Sequence, residues 1–149
     1  AVAGAKEGKS PCSYCAKLRR GALNGAAVEA GCNKTALGHH RDDALETLLM
    51  CVFHESRLST LAPKTYLSET GLTVIRPFLY MPEAQIKGAI NRLALPVHKP
   101  ICPFDGNTER ERMKGLIKQL RTLFDQGDEM LFRALRKTEA YNLWDKYRV

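Results

Sequence analysis

Apolar residues recur at helical spacing in five stretches of this chain and at strand spacing in two. Leu18, Ala22, Ala26 and Ala30 predict a helix from about Tyr14 to Ala30, stopped by Gly31. Its apolar face is made of small residues, which suggests close packing on a sheet. Lys34-Thr35-Ala36-Leu37 suits a short buried strand, and Gly38 permits a tight turn out of it. The next helix is expected from Asp42 or Asp43, with Asp43 as cap and Glu46 completing a capping box. Leu45, Leu48, Leu49 and Val52 form its apolar face. His54 to Gly71 reads as a long loop, and Thr73 to Pro77 as a second strand. Pro82-Glu83 opens a helix with Ile86, Ala89, Ile90 and Leu93 inward, and Leu95-Pro96-Val97 suits a short edge segment. Two further helices are predicted, one from about Thr108 to Phe124 and one from about Asp128 through Lys137. The tail carries Tyr141, Trp144 and Tyr147.

Alternating helices and strands predict an α/β layer structure with parallel strands. Two strands are too few for an ordinary doubly wound sheet, so the chain reads as the second half of one. The expected division is an α/β part over residues 1–107 and a helical segment over 108–149.

Charge adds a partner class. The net charge is +7. Residues 1–41 carry seven Lys/Arg against two Asp/Glu, residues 42–108 six against seven, and residues 109–149 ten against seven. Basic ends around a near-neutral middle suit a nucleic acid, or simply a basic surface without a polyanion. No apolar run reaches membrane-spanning length, and the N-terminus is too short and weakly apolar for a signal peptide. A cytoplasmic protein is expected.

The odd count of five cysteines argues against a secreted disulfide scaffold. Cys32 and Cys51 lie in apolar surroundings and are expected to be buried thiols. Cys12, Cys15 and Cys102 lie at or near prolines and can act as three soft ligands. Three thiolates suit zinc, with His98 as a possible fourth ligand, or a cubane iron–sulfur cluster with one open iron. By spacing alone zinc leads; a redox pair or free thiols remain alternatives. Gly38-His39-His40-Arg41-Asp42-Asp43 sits where open α/β sheets bind ligands, and its two carboxylates can hold magnesium beside a nucleotide. A plain helix cap explains Asp43 equally well. Lys17, Arg19 and Arg20 follow the cysteine pair and can contact an RNA phosphate, or simply form a solvated helix face.

The combination of Cys12-Ser-Tyr-Cys15-Ala-Lys-Leu-Arg-Arg-Gly21, Ala36-Leu-Gly-His-His-Arg-Asp-Asp43 with Glu46-Thr47, Val74-Ile-Arg-Pro77, Tyr80-Met-Pro-Glu83 and Cys102 resembles the tRNA 2-thiocytidine synthetase group of PP-loop ATPases. The resemblance runs from about Pro11 to Lys114 and implies the nucleotide-hydrolase-like parallel sheet of that group. It implies ATP-dependent adenylation of a cytidine C2 oxygen in the tRNA anticodon loop, followed by replacement with sulfur. It implies that Cys12, Cys15 and Cys102 hold a 4Fe-4S cluster, which places iron–sulfur ahead of zinc. It implies that Asp42 lies near ATP or Mg2+ beside Asp43, that Gly38 and His39 line the nucleotide side, and that Arg19 faces the substrate or adenylate. A tRNA and a sulfur donor such as a cysteine desulfurase are the implied partners.

One departure matters. The family's Ser-Gly-Gly-x-Asp-Ser phosphate loop is absent from these 149 residues, and the position three after Cys102 is Asp105, where some relatives carry a further cysteine. The chain is expected to be a C-terminal portion of such an enzyme, inactive toward ATP by itself. A truncated sheet exposes strand edges, so a homodimer is a further expectation. An RNA-binding adapter, or a PP-loop enzyme with another substrate, are the alternative readings.

Overall fold

The computed structural model describes residues 11–98, 102, 106 and 108–137. The chain divides into two units, one of residues up to Gly38 with Ala62–Pro77, the other of His39–Leu61 with Phe78 onward.

The first unit holds α1 (Pro11–Glu29), β1 (Lys34–Ala36), β2 (Lys64–Leu67) and β3 (Leu72–Ile75). The strands form one sheet in the order β1-β3-β2. β1 runs parallel to β3, with Thr35 opposite Val74. β2 runs antiparallel to β3, with Thr65 opposite Val74. The sheet is therefore mixed, not wholly parallel, and β2 lies inside the stretch expected to be a loop. Its neighbours Ala62, Pro63, Ser68 and Glu69 mask the strand signal of Lys-Thr-Tyr-Leu. Gly71, at φ 69°, closes the hairpin by donating its N–H to the Leu67 carbonyl at 2.9 Å.

Helix α1 begins three residues before the expected start, with Pro11 at its first position, where the missing N–H costs nothing. It ends as expected at Gly31. That residue, at φ 69°, donates to Val28, and Cys32 donates to Ala27, a left-handed helix stop. Cys32 lies on this exit and is exposed, which corrects the expectation of a buried thiol; Cys51 is buried. No residue of α1 is buried. The expected close packing fails because Gly and Ala offer little area, while Leu18, Leu23 and Val28 stay 46, 42 and 48% exposed.

The second unit holds α2 (Arg41–Glu55), α3 (Glu83–Arg92), α4 (Glu109–Leu123) and α5 (Gly127–Arg136). Its core joins Leu45 and Leu49 of α2, Met113 and Ile117 of α4, and Phe132 of α5. The helices after residue 108 thus share a core with α2. Phe124, expected on the inner face of α4, is instead its exposed C-cap. Leu95–Val97 is not a strand. The tail aromatics Tyr141, Trp144 and Tyr147 lie outside the described residues.

Helix starts follow local chemistry. Pro82 is the N-cap of α3, one position before its first turn. Thr108 caps α4, its hydroxyl accepting from the Glu111 N–H at 3.3 Å. α4 and α5 are joined by Phe124, Asp125 and Gln126 alone. Gln126 takes a left-handed conformation at φ 53°, and a Cβ on Gly127 would sit 2.8 Å from the Leu120 carbonyl oxygen. Glycine is therefore required at that turn.

Ile117 is 3% exposed at the centre of the helical core. Ile117→Ala should lower unfolding free energy by about 2–4 kcal/mol in urea titrations. A loss under about 1 kcal/mol would show that α4 is not held by this core.

Candidate functional site

The two cysteines of the Cys-x-x-Cys pair lie near the start of α1, three residues apart and hence on neighbouring positions of one helix face. Cys12 is exposed and Cys15 partly so, both as free thiols. Arg19, one turn on, brings Nη2 to 3.7 Å from the Cys15 sulfur. Cys102 is exposed and belongs to the second unit, as does exposed His98. Among the described residues no three Cys, His, Asp or Glu side chains gather as a metal centre. The structure thus brings Cys12, Cys15 and Arg19 together within the first unit. Lys17 and Arg20 of the same helix are exposed and border a cleft against the sheet.

The nucleotide-side residues follow β1. Gly38 is exposed, its φ lies outside the left-handed region, and a Cβ there would meet nothing within 4 Å. It is not required for a tight turn, contrary to the reading from sequence. Next come half-buried His39 and the true cap of α2, His40. His40 Nδ1 accepts from the Asp43 N–H at 3.3 Å, and Asp43 Oδ2 accepts from the His40 N–H at 2.9 Å. Asp43 is therefore the third helical residue of a capping box rather than the cap itself. The box starts three residues earlier than Asp43–Glu46, because the imidazole supplies the acceptor that sequence reasoning assigned to a carboxylate.

Asp42 is 7% exposed, and both its oxygens are engaged. Oδ2 accepts from the Glu83 N–H of α3 at 2.7 Å, and Oδ1 from the Arg121 guanidinium of α4 at 2.6 Å. Arg121 also donates to Asp128 at 2.8 Å. Asp128 accepts a further bond from Arg41 at 2.9 Å, and Arg41 reaches Glu129 as well. Two basic and three acidic side chains thus form one network across α2, α4 and α5. Beside it, Arg110 donates to Asp43 at 3.2 Å and to buried Glu46 at 2.8 Å, while Lys114 reaches Glu83 at 3.1 Å.

These contacts set the carboxyl acidities. Burial pushes Asp42 up, but the Glu83 N–H, Arg121 and Arg41 together hold it below its ordinary value of 3.8. Burial also pushes Glu83 up, and Lys87 and Lys114 outweigh it to leave it lowered. For Glu46 burial wins over Arg110, and the carboxyl is raised. The partners Arg110, Lys114 and Arg121 could not be assigned from the sequence. They lie 64 to 79 residues from Glu46, Asp43 and Asp42 or 31 from Glu83, a separation that carries no local signal.

A depressed carboxylate stabilises the fold above its unfolded pKa, and that contribution disappears as pH falls through the folded value. Asp42 and Glu83 therefore destabilise the unit on acidification below about pH 4. Glu46, being raised, acts oppositely and favours the fold at low pH. Asp42→Asn should cost about 1–3 kcal/mol at pH 7 and flatten the loss of stability below pH 4, read by thermal melts across pH 2.5–7. Parallel acid profiles for wild type and variant would contradict this assignment.

Comparison with known proteins adds to this geometry. The chain is 38% identical over 141 residues to the tRNA-cytidine(32) 2-sulfurtransferase of Alkalilimnicola ehrlichii, covering 94% of this chain and 45% of that protein. It is 39% identical over 143 residues to the enzyme of the same name from Geobacter metallireducens, covering 95% and 56%. The chain spans about half the length of the curated relatives it matches. Among solved structures it is similar to the U34-tRNA thiolase NcsA from Methanococcus maripaludis with its 4Fe-4S cluster. There the TM-score is 0.69 at 23% identity, over 93% of this chain and 48% of that one, a likeness of fold. The model of the PP-loop domain family matches residues 11–98, well over half of the chain, and the chain belongs to that family.

Proposed function

We propose that this chain contributes to ATP-dependent 2-thiolation of a tRNA cytidine. The observation that carries this reading is identity of 38–39% to tRNA-cytidine 2-sulfurtransferases along nearly the whole chain. In the proposed reaction the C2 oxygen of the base attacks the α-phosphorus of ATP and releases pyrophosphate. Sulfur then attacks C2, and AMP leaves with the oxygen.

The residues of this chain divide that work. Cys12, Cys15 and Cys102 would hold a 4Fe-4S cluster, and their accessible free thiols suit a soft metal, zinc being the alternative. Such a cluster with three protein ligands supplies an open iron that can carry sulfur. Arg19 holds positive charge at Cys15, and in this reading it faces the substrate or adenylate. Gly38 leaves open backbone where a nucleotide can approach, with His39 beside it. Asp42 and Asp43 each retain lone pairs on carboxylate oxygens that already accept one bond, enough to meet Mg2+ or its water shell. Lys17, Arg19 and Arg20 offer exposed charge to tRNA phosphates. The sulfur comes from a donor such as a cysteine desulfurase, with two electrons from a thiol reductant bringing its persulfide sulfur to the sulfide level that attacks C2. No helix among the described residues is long and apolar enough to cross a membrane.

Anaerobic reconstitution should load about four iron and four sulfide per chain, and Cys12→Ser or Cys102→Ser should each remove most of both. Stoichiometric zinc without sulfide would replace the cluster in this reading. At the level of function, tRNA from a strain deleted for the gene should lack 2-thiocytidine. Its persistence would exclude the cytidine reaction.

Gly38→Ala separates fold from ligand. Its φ and surroundings accept a methyl, so stability should change by less than about 1 kcal/mol. ATP affinity of the full-length enzyme should fall about tenfold if the backbone approaches the nucleotide there. Unchanged affinity would remove Gly38 from the site.

A further inference from the structure

The first unit contains a cleft of about 540 Å³ between α1 and the β2–β3 hairpin. Its floor includes Leu37 and Val74, and its walls carry Lys17, Arg20, Arg76 and Thr65. Three cations thus face one space. Among the described residues none of the three has a carboxylate in ion-pair range; Glu69 lines the rim without pairing.

Arg76 is held in place. Its Nη1 donates to the Ala62 carbonyl at 2.5 Å and to Thr65 Oγ1 at 3.4 Å. Its Nε is buried with no acceptor among the described residues. Burial, followed by the Arg20 guanidinium, holds Arg76 below its ordinary pKa. Two like charges kept close, with hydrogen-bond donors unused, are unfavourable unless an anion lies between them. The contrast within the chain is direct. Arg41, Arg110 and Arg121 in the helical unit each meet at least one carboxylate.

We propose that this cleft binds a phosphate group, clamped by Arg20 and Arg76 with Lys17 at its edge. The chemistry fits an RNA backbone phosphate or the phosphate of a free nucleotide equally. The RNA source rests on the reading of the chain as a tRNA-modifying protein; the phosphate site itself does not.

The test follows arginine side-chain Nε–H resonances in nitrogen-15 correlation spectra of the 149-residue chain. The probes are inorganic phosphate and an anticodon stem-loop RNA, with sodium chloride at matched ionic strength as control. The Arg20 and Arg76 resonances should shift saturably with phosphate and not with chloride. Arg20→Gln, at an exposed site that makes no hydrogen bond among the described residues, should weaken phosphate binding by about ten- to a hundredfold. Lys64→Gln, outside the cleft, should leave it unchanged. RNA moving the same resonances at lower concentration identifies the backbone as the source, and phosphate acting alone identifies a free phosphate or nucleotide. Absence of saturable shifts with both probes, equal shifts with chloride, or equal loss in Lys64→Gln would overturn the proposal. That failure would leave the deletion-strain measurement untouched, so the two readings fail separately.

Discussion

A single buried carboxylate fixes the geometry of the helical unit. Asp42 takes one hydrogen bond from the backbone at the start of α3 and one from a guanidinium on α4. Through Arg121 the contact reaches Asp128, and through Arg41 it returns to the first residue of α2. Such a network is a poor source of raw stability, because removing charges from water is expensive. Its effect is directional. An apolar core tolerates sliding, whereas a carboxylate with both oxygens engaged accepts one arrangement of its partners. The core of Leu45, Leu49, Met113, Ile117 and Phe132 supplies cohesion, and the ion network supplies register.

This bears on how the site can act. Asp42 was expected beside ATP or magnesium, and it is also the structural acceptor for two other helices. A metal ion approaching it would compete with Arg121 for electron density on the same oxygen. Under the proposed function, nucleotide binding at this turn would thereby be tied to the packing of α4. The cysteine end is differently made. Cys12 and Cys15 stand on a helix with no buried residue, so neighbours constrain their side chains little.

Much of the architecture was legible because periodicity reports burial. The helices around Leu45, Ile86, Ile117 and Phe132 all formed, within a few residues of their expected limits. Gly31 was read correctly because a left-handed stop has a strong residue preference. β2 was hidden because it is only four residues long and none of them is buried: exposed Lys64 and Tyr66 alternate with half-buried Thr65 and Leu67, so one apolar side chain falls on the outer face. The cap of α2 was misplaced because histidine is an uncommon cap and Asp43 satisfied the more frequent pattern. The cysteine pair, the basic residues after it and the Gly38–Asp43 turn could be named in advance. The arginines that engage the carboxylates could not, since a contact between Asp42 and Arg121 leaves no trace in either local sequence.

The three-residue link between α4 and α5 has a consequence for the order in which contacts become affordable. Loop-closure entropy rises with the logarithm of the loop length. α4 and α5 meet across Phe124–Gln126, whereas Leu45 reaches Ile117 only by closing a loop of some seventy residues. The helical hairpin therefore forms its contacts at the smaller entropic cost. Gly127, by admitting the Leu120 carbonyl where a methyl would collide, is what keeps that link so short.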